Sequence, residues 1–170
     1  MNIVVHVGDI LDHPADVLIC TANPWLNMSG GVDGAVVARC GPIIQSELRD
    51  YLVSAGKPAV PAGTVVTTSA GSLPFRYIVH AVAIDPFYDT SIDLVRATMW
   101  NALECAASLD AASVVTPALG TGYGRLPMES FARALADVKP EHDFTVQDLT
   151  VILRRDEDAR IVKTRLYEGS

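Results

Sequence analysis

The chain has few cysteines, few basic residues and no long apolar segment, and each shortage excludes a class of protein. Its 170 residues include three cysteines, and 13 Lys and Arg stand against 20 Asp and Glu, for a formal net charge of −7. Three thiols far apart in regular segments do not form a disulfide framework and favour a reducing compartment. No apolar run reaches the roughly 20 residues of a membrane span, and the N-terminus lacks the basic start of a signal peptide. We therefore expect a cytoplasmic protein with no membrane partner.

Basic clusters and metal-ligand patterns are also missing. A protein that binds nucleic acid normally presents a basic face, but no Lys/Arg cluster precedes Arg154-Arg155, and acidic residues follow that pair at once. Nucleic acid is therefore not an expected partner. No His, Cys and Asp cluster has the spacing of a metal site, and Gly-x-Ser-x-Gly is absent. We expect no metal and no cofactor.

Strand-like and helix-like segments alternate along the chain. The apolar, β-branched runs are residues 2–7, 16–21, 64–69, 76–83, 113–117 and 148–154, and the helix-like stretches are 32–40, 43–55, 92–109, 127–138 and 157–168. Nearly continuous apolar strands are typical of sheets covered on both faces. This order predicts one α/β domain over residues 1–170, with helices on both faces of a largely parallel sheet. Thr90 and Asp93 resemble a capping box at the start of the 92–109 helix.

Two glycine-rich turns, residues 29–34 (SGGVDG) and 118–124 (ALGTGYG), each lie between a strand-like and a helix-like run. Backbone N–H groups at a helix entrance bind anions, phosphate above all. Two such turns in one domain predict a ligand with two adjacent phosphates. Neither turn ends in Gly-Lys-Ser/Thr, and neither fits Gly-x-Gly-x-x-Gly with an acid about 20 residues later, so NTPase and dinucleotide signatures are absent.

Four side chains near the predicted strand ends could contact such a ligand, and each has a structural alternative. Asp9 either accepts a hydrogen bond from an amine such as that of adenine, or caps a turn. Asn23 either binds ribose hydroxyls or caps a turn. Asp33 either orients water as a general base or interacts with the helix dipole from the first turn. Tyr123 either shields a sugar or packs on the surface.

Two further residues are predicted to be part of the core. His80 lies in the strand-like run 76–83 and is interpreted as a buried histidine with a satisfied hydrogen bond. Cys20 lies inside the run 16–21 without a basic neighbour, which is typical of an inert thiol.

Taken together and in order, these segments resemble the macrodomain family, whose members bind ADP-ribose. The matching segments are GDI at 8–10, ADVLI at 15–19, TAN at 21–23, MSGGVDGA at 28–35, ARCGP at 38–42, AGSLP at 70–74, YIVH at 77–80 and PALGTG at 117–122. The resemblance implies a three-layer α/β/α sandwich around a central mixed, largely parallel sheet. It also implies a site for ADP-ribose or an ADP-ribosylated protein.

Within that site the resemblance implies a role for each residue. Asp9 recognises the adenine amine, with Ile10 beside it, and Asn23 lies near the distal ribose. The turns 30–34 and 120–124 hold the diphosphate. The ligand-binding residues implied in and beside them are Gly30, Gly31, Val32, Asp33, Leu119, Gly120, Thr121, Gly122, Tyr123 and Gly124. The catalytic residues implied are Asp33 and Asn23.

Many family members hydrolyse ADP-ribose from modified acidic side chains or deacetylate O-acetyl-ADP-ribose, and this chain departs from their pattern. Cys20 replaces the first Asn of the usual Asn-Ala-Ala-Asn, and Val37 stands at a frequent histidine position. Gly120 replaces the serine of Ser-Thr-Gly, and the aromatic Tyr123 comes one place early. Asp33 is kept. Three functions stay open: a hydrolase of ADP-ribose conjugates, a binding module without turnover, and an ADP-ribose-1″-phosphate phosphatase.

Overall fold

A mixed sheet organises the molecule in the computed structural model, which describes residues 1–138 and 145–168. Its six strands in the described chain are β1 (Asn2–Val7), β2 (Val17–Thr21), β3 (Val65–Ser69), β4 (Tyr77–Ala81), β5 (Ser113–Thr116) and β6 (Asp148–Leu153). Their order is β1-β6-β5-β2-β4-β3. Every neighbouring pair is parallel except β3 and β4, which are antiparallel. The predicted mixed, largely parallel sheet is confirmed.

Within the described residues, five α-helices connect and cover the strands. They are α1 (Gly31–Cys40), α2 (Ile43–Ala55), α3 (Ile92–Ser108), α4 (Met128–Asp137) and α5 (Asp156–Lys163), with a 3₁₀ turn at Ile10–Asp12 and a π-helical segment at Thr164–Glu168. The last predicted helix, 157–168, is therefore α-helical only to Lys163. None of the helices described is long and apolar enough to cross a bilayer.

The cap of α3 differs from its prediction. Ser91, not Thr90, is the N-cap, and its hydroxyl accepts a hydrogen bond from the Leu94 N–H at 3.1 Å. The Thr90 hydroxyl instead donates to the Ala83 carbonyl at 2.6 Å. Thr90 therefore anchors the loop after β4, and the next residue along the chain caps the helix.

Period-two alternation along β2 divides the core into two layers. Val17 and Ile19 pack with Val95, Phe131 and Val162, which belong to α3, α4 and α5. The intervening positions of β2, Leu18 and Cys20, pack on the opposite face with residues of α1 and α2. Because successive strand side chains point to opposite faces, one strand serves both layers. The three-layer α/β/α sandwich is confirmed. The single domain over 1–170 stays a prediction, and 139–144 and 169–170 lie outside the described residues.

The topology brings three loops to one edge of the sheet. Strands β2, β4 and β5 run parallel and are neighbours, so the segments that follow them leave from the same side. These segments are 22–30, 82–91 and 117–127. Ligands of open α/β sheets collect at the carboxyl ends of the strands, so this edge is where a site is expected.

Candidate functional site

A cleft of about 760 Å³ opens at this edge of the sheet. All three loops line it, and so do eight of the predicted site residues: Asn23, Gly30, Gly31, Asp33, Gly120, Gly122, Tyr123 and Gly124. The other predicted residues, Asp9, Ile10, Val32, Leu119 and Thr121, are not part of that lining. The structure thus brings both glycine-rich turns together on one cavity, although about 90 residues of chain separate them.

The first turn forms the entrance of α1. Gly30 is the N-cap with φ 68°, Gly31 follows with φ 53°, and no side chain caps the helix. The first-turn N–H groups of an α-helix have no acceptor within the helix, so those of Gly31, Val32 and Asp33 can bind a ligand anion. A Cβ on Gly30 would lie 2.8 Å from the Tyr123 hydroxyl oxygen. Glycine at this position therefore lets the two turns approach closely.

The second turn is folded tightly against its own backbone. Gly120 has φ 77°, and its carbonyl accepts a hydrogen bond from the Leu126 N–H at 2.9 Å. The Thr121 hydroxyl donates to the Ala118 carbonyl at 2.9 Å, and Leu119 is completely buried in the core. These contacts fix the turn on the side that faces the core. Its glycines and Tyr123 therefore line the cleft on the other side.

Asp33 is the most perturbed group in the cleft wall. It lies in the first turn of α1, is only 5% exposed, and its Oδ1 has no hydrogen-bond partner among the described residues. Burial raises the pKa of this carboxyl to about 7, against the effect of a hydrogen bond from the Cys20 thiol. A carboxyl that titrates near neutral pH has the proton affinity that a general base needs.

The sequence prediction missed the partnership of Cys20 with Asp33. Cys20 is fully buried on the α1 face of β2, and burial and the Asp33 carboxyl raise the pKa of its thiol well above the ordinary value. The prediction of an inert thiol agrees with this environment. The signal that could have revealed the contact was the alternation of β2, which directs Cys20 toward the helix that carries Asp33.

The raised pKa of Asp33 predicts a stability change with pH. Its carboxyl is protonated more readily in the folded than in the unfolded chain, so stability falls as the pH rises from about 4, the unfolded value, to about 7. We expect Asp33→Asn to melt at a higher temperature than the wild-type protein at pH 8, with the gap closing at pH 4. Thermal unfolding of both proteins without ligand tests this. A constant gap across that range would contradict it.

Asn23 lines the cleft, but its side chain organises its own loop. The amide Nδ2 donates to the Asn27 carbonyl at 2.9 Å, and Oδ1 accepts from the N–H groups of Trp25 and Asn27 at 3.1 Å each. The turn-capping role is therefore present in the structure. Contact with the distal ribose and a catalytic role stay predictions.

Asp9 and Ile10 lie beside α1. The Asp9 carboxylate accepts a hydrogen bond from the Leu11 N–H at 3.0 Å and forms a 3.3 Å ion pair with Arg39. Ile10 is 4% exposed and packs with the α1 and α2 layer of the core. Asp9 thus has the capping role that was one of its two predicted roles, and its contact with adenine stays a prediction.

His80 is a buried core residue of β4, as its position in the sequence predicted. The Thr68 hydroxyl donates to the Ser69 carbonyl at 2.9 Å and so accepts from Nε2–H of His80, also at 2.9 Å. Burial lowers the pKa of His80 to about 3, so the ring is neutral at physiological pH. Within residues 1–138 and 145–168, no group of three or more His, Cys, Asp and Glu is arranged to hold a metal ion.

An α/β/α sandwich with two glycine-rich turns and a buried acid on one cleft defines a class of small ligand-binding domain. The Macro domain family model matches residues 19–135 of this chain. The chain therefore belongs to the Macro domain family, which confirms the family predicted from the sequence.

Relatives and solved structures give the same assignment. The chain is 35% identical over 149 residues to the Macro domain-containing protein in the sno 5′ region of Streptomyces nogalater, covering 86% of this chain and 81% of the relative. A Macro domain-containing protein of Listeria monocytogenes is 32% identical over 170 residues, covering 95% and 94%.

Among solved structures, a variant of the Oceanobacillus iheyensis macrodomain with ADPR has a TM-score of 0.87 at 26% identity, covering 97% of this chain and 91% of that one. The same macrodomain with ADP has a TM-score of 0.86 at 27% identity, covering 97% and 90%.

Proposed function

We propose that the cleft binds ADP-ribose, with the diphosphate between the two glycine-rich turns. The observation that carries this proposal is the convergence of the two turns, since each offers backbone N–H groups without a basic side chain in the turn itself. The similar Oceanobacillus macrodomain, solved with ADPR and with ADP, supports the same ligand class. Asn23 is proposed to lie near the distal ribose, and Asp9 with Ile10 near the adenine. The predicted cytoplasmic location fits a nucleotide ligand.

The proposed activity is hydrolysis of ADP-ribose from mono-ADP-ribosylated proteins. Asp33 accepts a proton from a water molecule, whose oxygen attacks C1″ of the distal ribose. The bond from C1″ to the side-chain oxygen of the modified protein breaks, and the protein carboxylate leaves with the electron pair. The support is the position of Asp33 on the cleft wall, with one carboxyl oxygen unpartnered and a pKa of about 7. With Asp33 as the same base, the water oxygen can instead attack the acetyl carbonyl carbon of O-acetyl-ADP-ribose. The bond from that carbon to the ribose oxygen then breaks, the ribose oxygen takes the proton back from Asp33 as a hydroxyl, and acetate is released.

A binding module without turnover is the second candidate. Cys20 and Val37 stand where hydrolases of the family usually have Asn and His, and the Cys20 thiol lowers the pKa of the proposed base. Under this candidate Asp33 only shapes the pocket. The ligand class is unchanged, so binding and turnover have to be measured separately.

We expect isothermal titration calorimetry to give one ADP-ribose per chain with a dissociation constant in the micromolar range. The diphosphate contacts predict that ADP competes with ADP-ribose, whereas adenosine, which lacks phosphate, competes poorly. In the same samples, release of ADP-ribose from a modified glutamate peptide, of acetate from O-acetyl-ADP-ribose and of phosphate from ADP-ribose-1″-phosphate separates the three activities. Absence of binding at millimolar ligand would overturn the whole proposal, whereas binding without any release would leave the binding module.

A further inference from the structure

Three aromatic side chains, Phe87, Tyr88 and Tyr123, line the cleft, and Trp25 packs against Tyr88; we call these four residues the aromatic rim. The ring centroids of Trp25 and Tyr88 are 6.2 Å apart, and those of Tyr88 and Tyr123 are 5.8 Å apart. Phe87 is 83% exposed and Tyr123 is 63% exposed. An exposed group of aromatic side chains next to a cleft marks an interaction surface, because water solvates such rings poorly.

The loop that carries Phe87 and Tyr88 of the aromatic rim is held in shape by hydrogen bonds. The Asp85 carboxylate accepts hydrogen bonds from the N–H groups of Phe87 at 2.8 Å and Asp89 at 2.9 Å. The backbone closes the same loop, since the Asp85 N–H donates to the Asp89 carbonyl at 2.9 Å. Tyr88 has φ 65°, a conformation that costs free energy for a bulky residue. Strain of this kind persists where the surrounding contacts enforce it, often at binding sites.

Two charged residues of the lining lie beside the aromatic rim, Asp89 directly after Tyr88 and Arg125 two residues after Tyr123, so the acid is the charge next to the Phe87 and Tyr88 rings. Asp89 lines the cleft, and its carboxylate has no ion pair or hydrogen bond with any described residue. Among the described lining residues the cation is Arg125, which directly follows Gly124 and so lies next to the turn proposed for the diphosphate. The whole chain carries a net charge of −7. Cationic side chains are attracted both to aromatic faces and to an unpaired carboxylate.

We propose that the aromatic rim together with Asp89 binds a basic polypeptide segment that carries the ADP-ribosyl group. This inference rests on the proposed function, because the segment is placed by the ligand in the cleft. Its lysine and arginine side chains lie over the Tyr88 and Phe87 rings, and one of them pairs with Asp89. The rim thereby selects among modified proteins, which the diphosphate and ribose contacts alone do not do.

The test compares two synthetic peptides that carry ADP-ribose on a central residue through a non-hydrolysable bond. One peptide has lysine and arginine at the flanking positions and the other has glutamate. We expect the basic peptide to bind about tenfold more tightly than free ADP-ribose, and the acidic peptide to bind no more tightly than ADP-ribose. The ratio of the two peptide affinities should fall at high salt, because salt screens exposed charges.

Two variants assign the preference to the rim. Tyr88→Ala and Asp89→Asn should each reduce the ratio of the two peptide affinities several-fold. Tyr51→Ala is the matched control, since Tyr51 is 40% exposed, close to the 45% of Tyr88, but lies on α2 away from the cleft lining. This control should keep the wild-type ratio.

Equal affinity for the basic and acidic peptides would overturn the inference, as would a preference that persists in both rim variants. If free ADP-ribose still bound in those cases, the proposed function would remain intact. Failure of free ADP-ribose to bind would instead reject the proposed function, so the two failures are distinguishable.

Discussion

Replacing Asp33 by asparagine is expected to slow release of ADP-ribose from a modified glutamate peptide at least a hundredfold, since general-base catalysis contributes about 10²–10⁴-fold. Asparagine has nearly the same volume but cannot accept the proton of the attacking water. The affinity for ADP-ribose should change far less than the turnover rate, because the diphosphate contacts come from the backbone of the two turns. Single-turnover kinetics and calorimetry on the same preparations measure the two quantities.

Cys20 variants provide the control for this result. Cys20→Ser keeps a hydrogen-bond donor next to Asp33 and should retain turnover, whereas Cys20→Ala removes the donor. The pH at which turnover rises should move upward in Cys20→Ala, because loss of the Cys20 hydrogen bond raises the Asp33 pKa further. Unchanged turnover in Asp33→Asn would contradict the base assignment, whereas a wild-type protein that binds ADP-ribose without releasing any product would leave the binding module.

Gly124→Ala is expected to weaken ADP-ribose binding at least tenfold and to destabilise the fold by roughly 1–3 kcal/mol, the range for overpacking. A Cβ at Gly124 would lie 2.6 Å from the Gly120 carbonyl oxygen and 2.8 Å from Thr90 Cγ2. The first of these atoms belongs to the backbone and cannot rotate away. The second turn must therefore open, which moves its N–H groups away from the proposed diphosphate. Calorimetry and denaturant unfolding measure the two effects.

Gly122→Ala adds the same methyl group to the same turn where there is room for it. A Cβ at Gly122 has nothing within 4 Å. The free energy of unfolding of Gly122→Ala should therefore stay close to that of the wild-type protein. If both variants lost the same stability, the cause would be the loss of glycine flexibility in the turn and not the contact at Gly120.

Most element positions could be read from the sequence because buried parallel strands are nearly continuous apolar runs. The predicted strand 16–21 and the observed β2, Val17–Thr21, differ by one residue, and the predicted helix 92–109 and α3 differ by one as well. The predicted cap of α3 was wrong because the adjacent Thr90 and Ser91 are both residue types that cap helices, and Ser91 is the one that does. Only the contact of Thr90 with the Ala83 carbonyl decides between them.

The site was predictable where it depends on local backbone. Glycines at 30, 31 and 120 have positive φ angles, which the two glycine-rich turns in the sequence indicate directly. The partners of single side chains were not predictable in the same way. Asp9 pairs with Arg39, and the ring of Tyr88 lies between those of Trp25 and Tyr123, across distances in the chain that no local pattern encodes.

The two glycine-rich turns and the alternating strands and helices were therefore determined by the sequence itself, because they depend on backbone conformation and on the period of apolar residues. The family was predicted from the resemblance of the motifs. Only the tertiary structure decided that Asp33 is buried against Cys20, that its pKa is about 7, and that an aromatic rim adjoins the cleft. A pKa depends on desolvation and on neighbouring dipoles. Both exist only after segments distant in the chain have packed together.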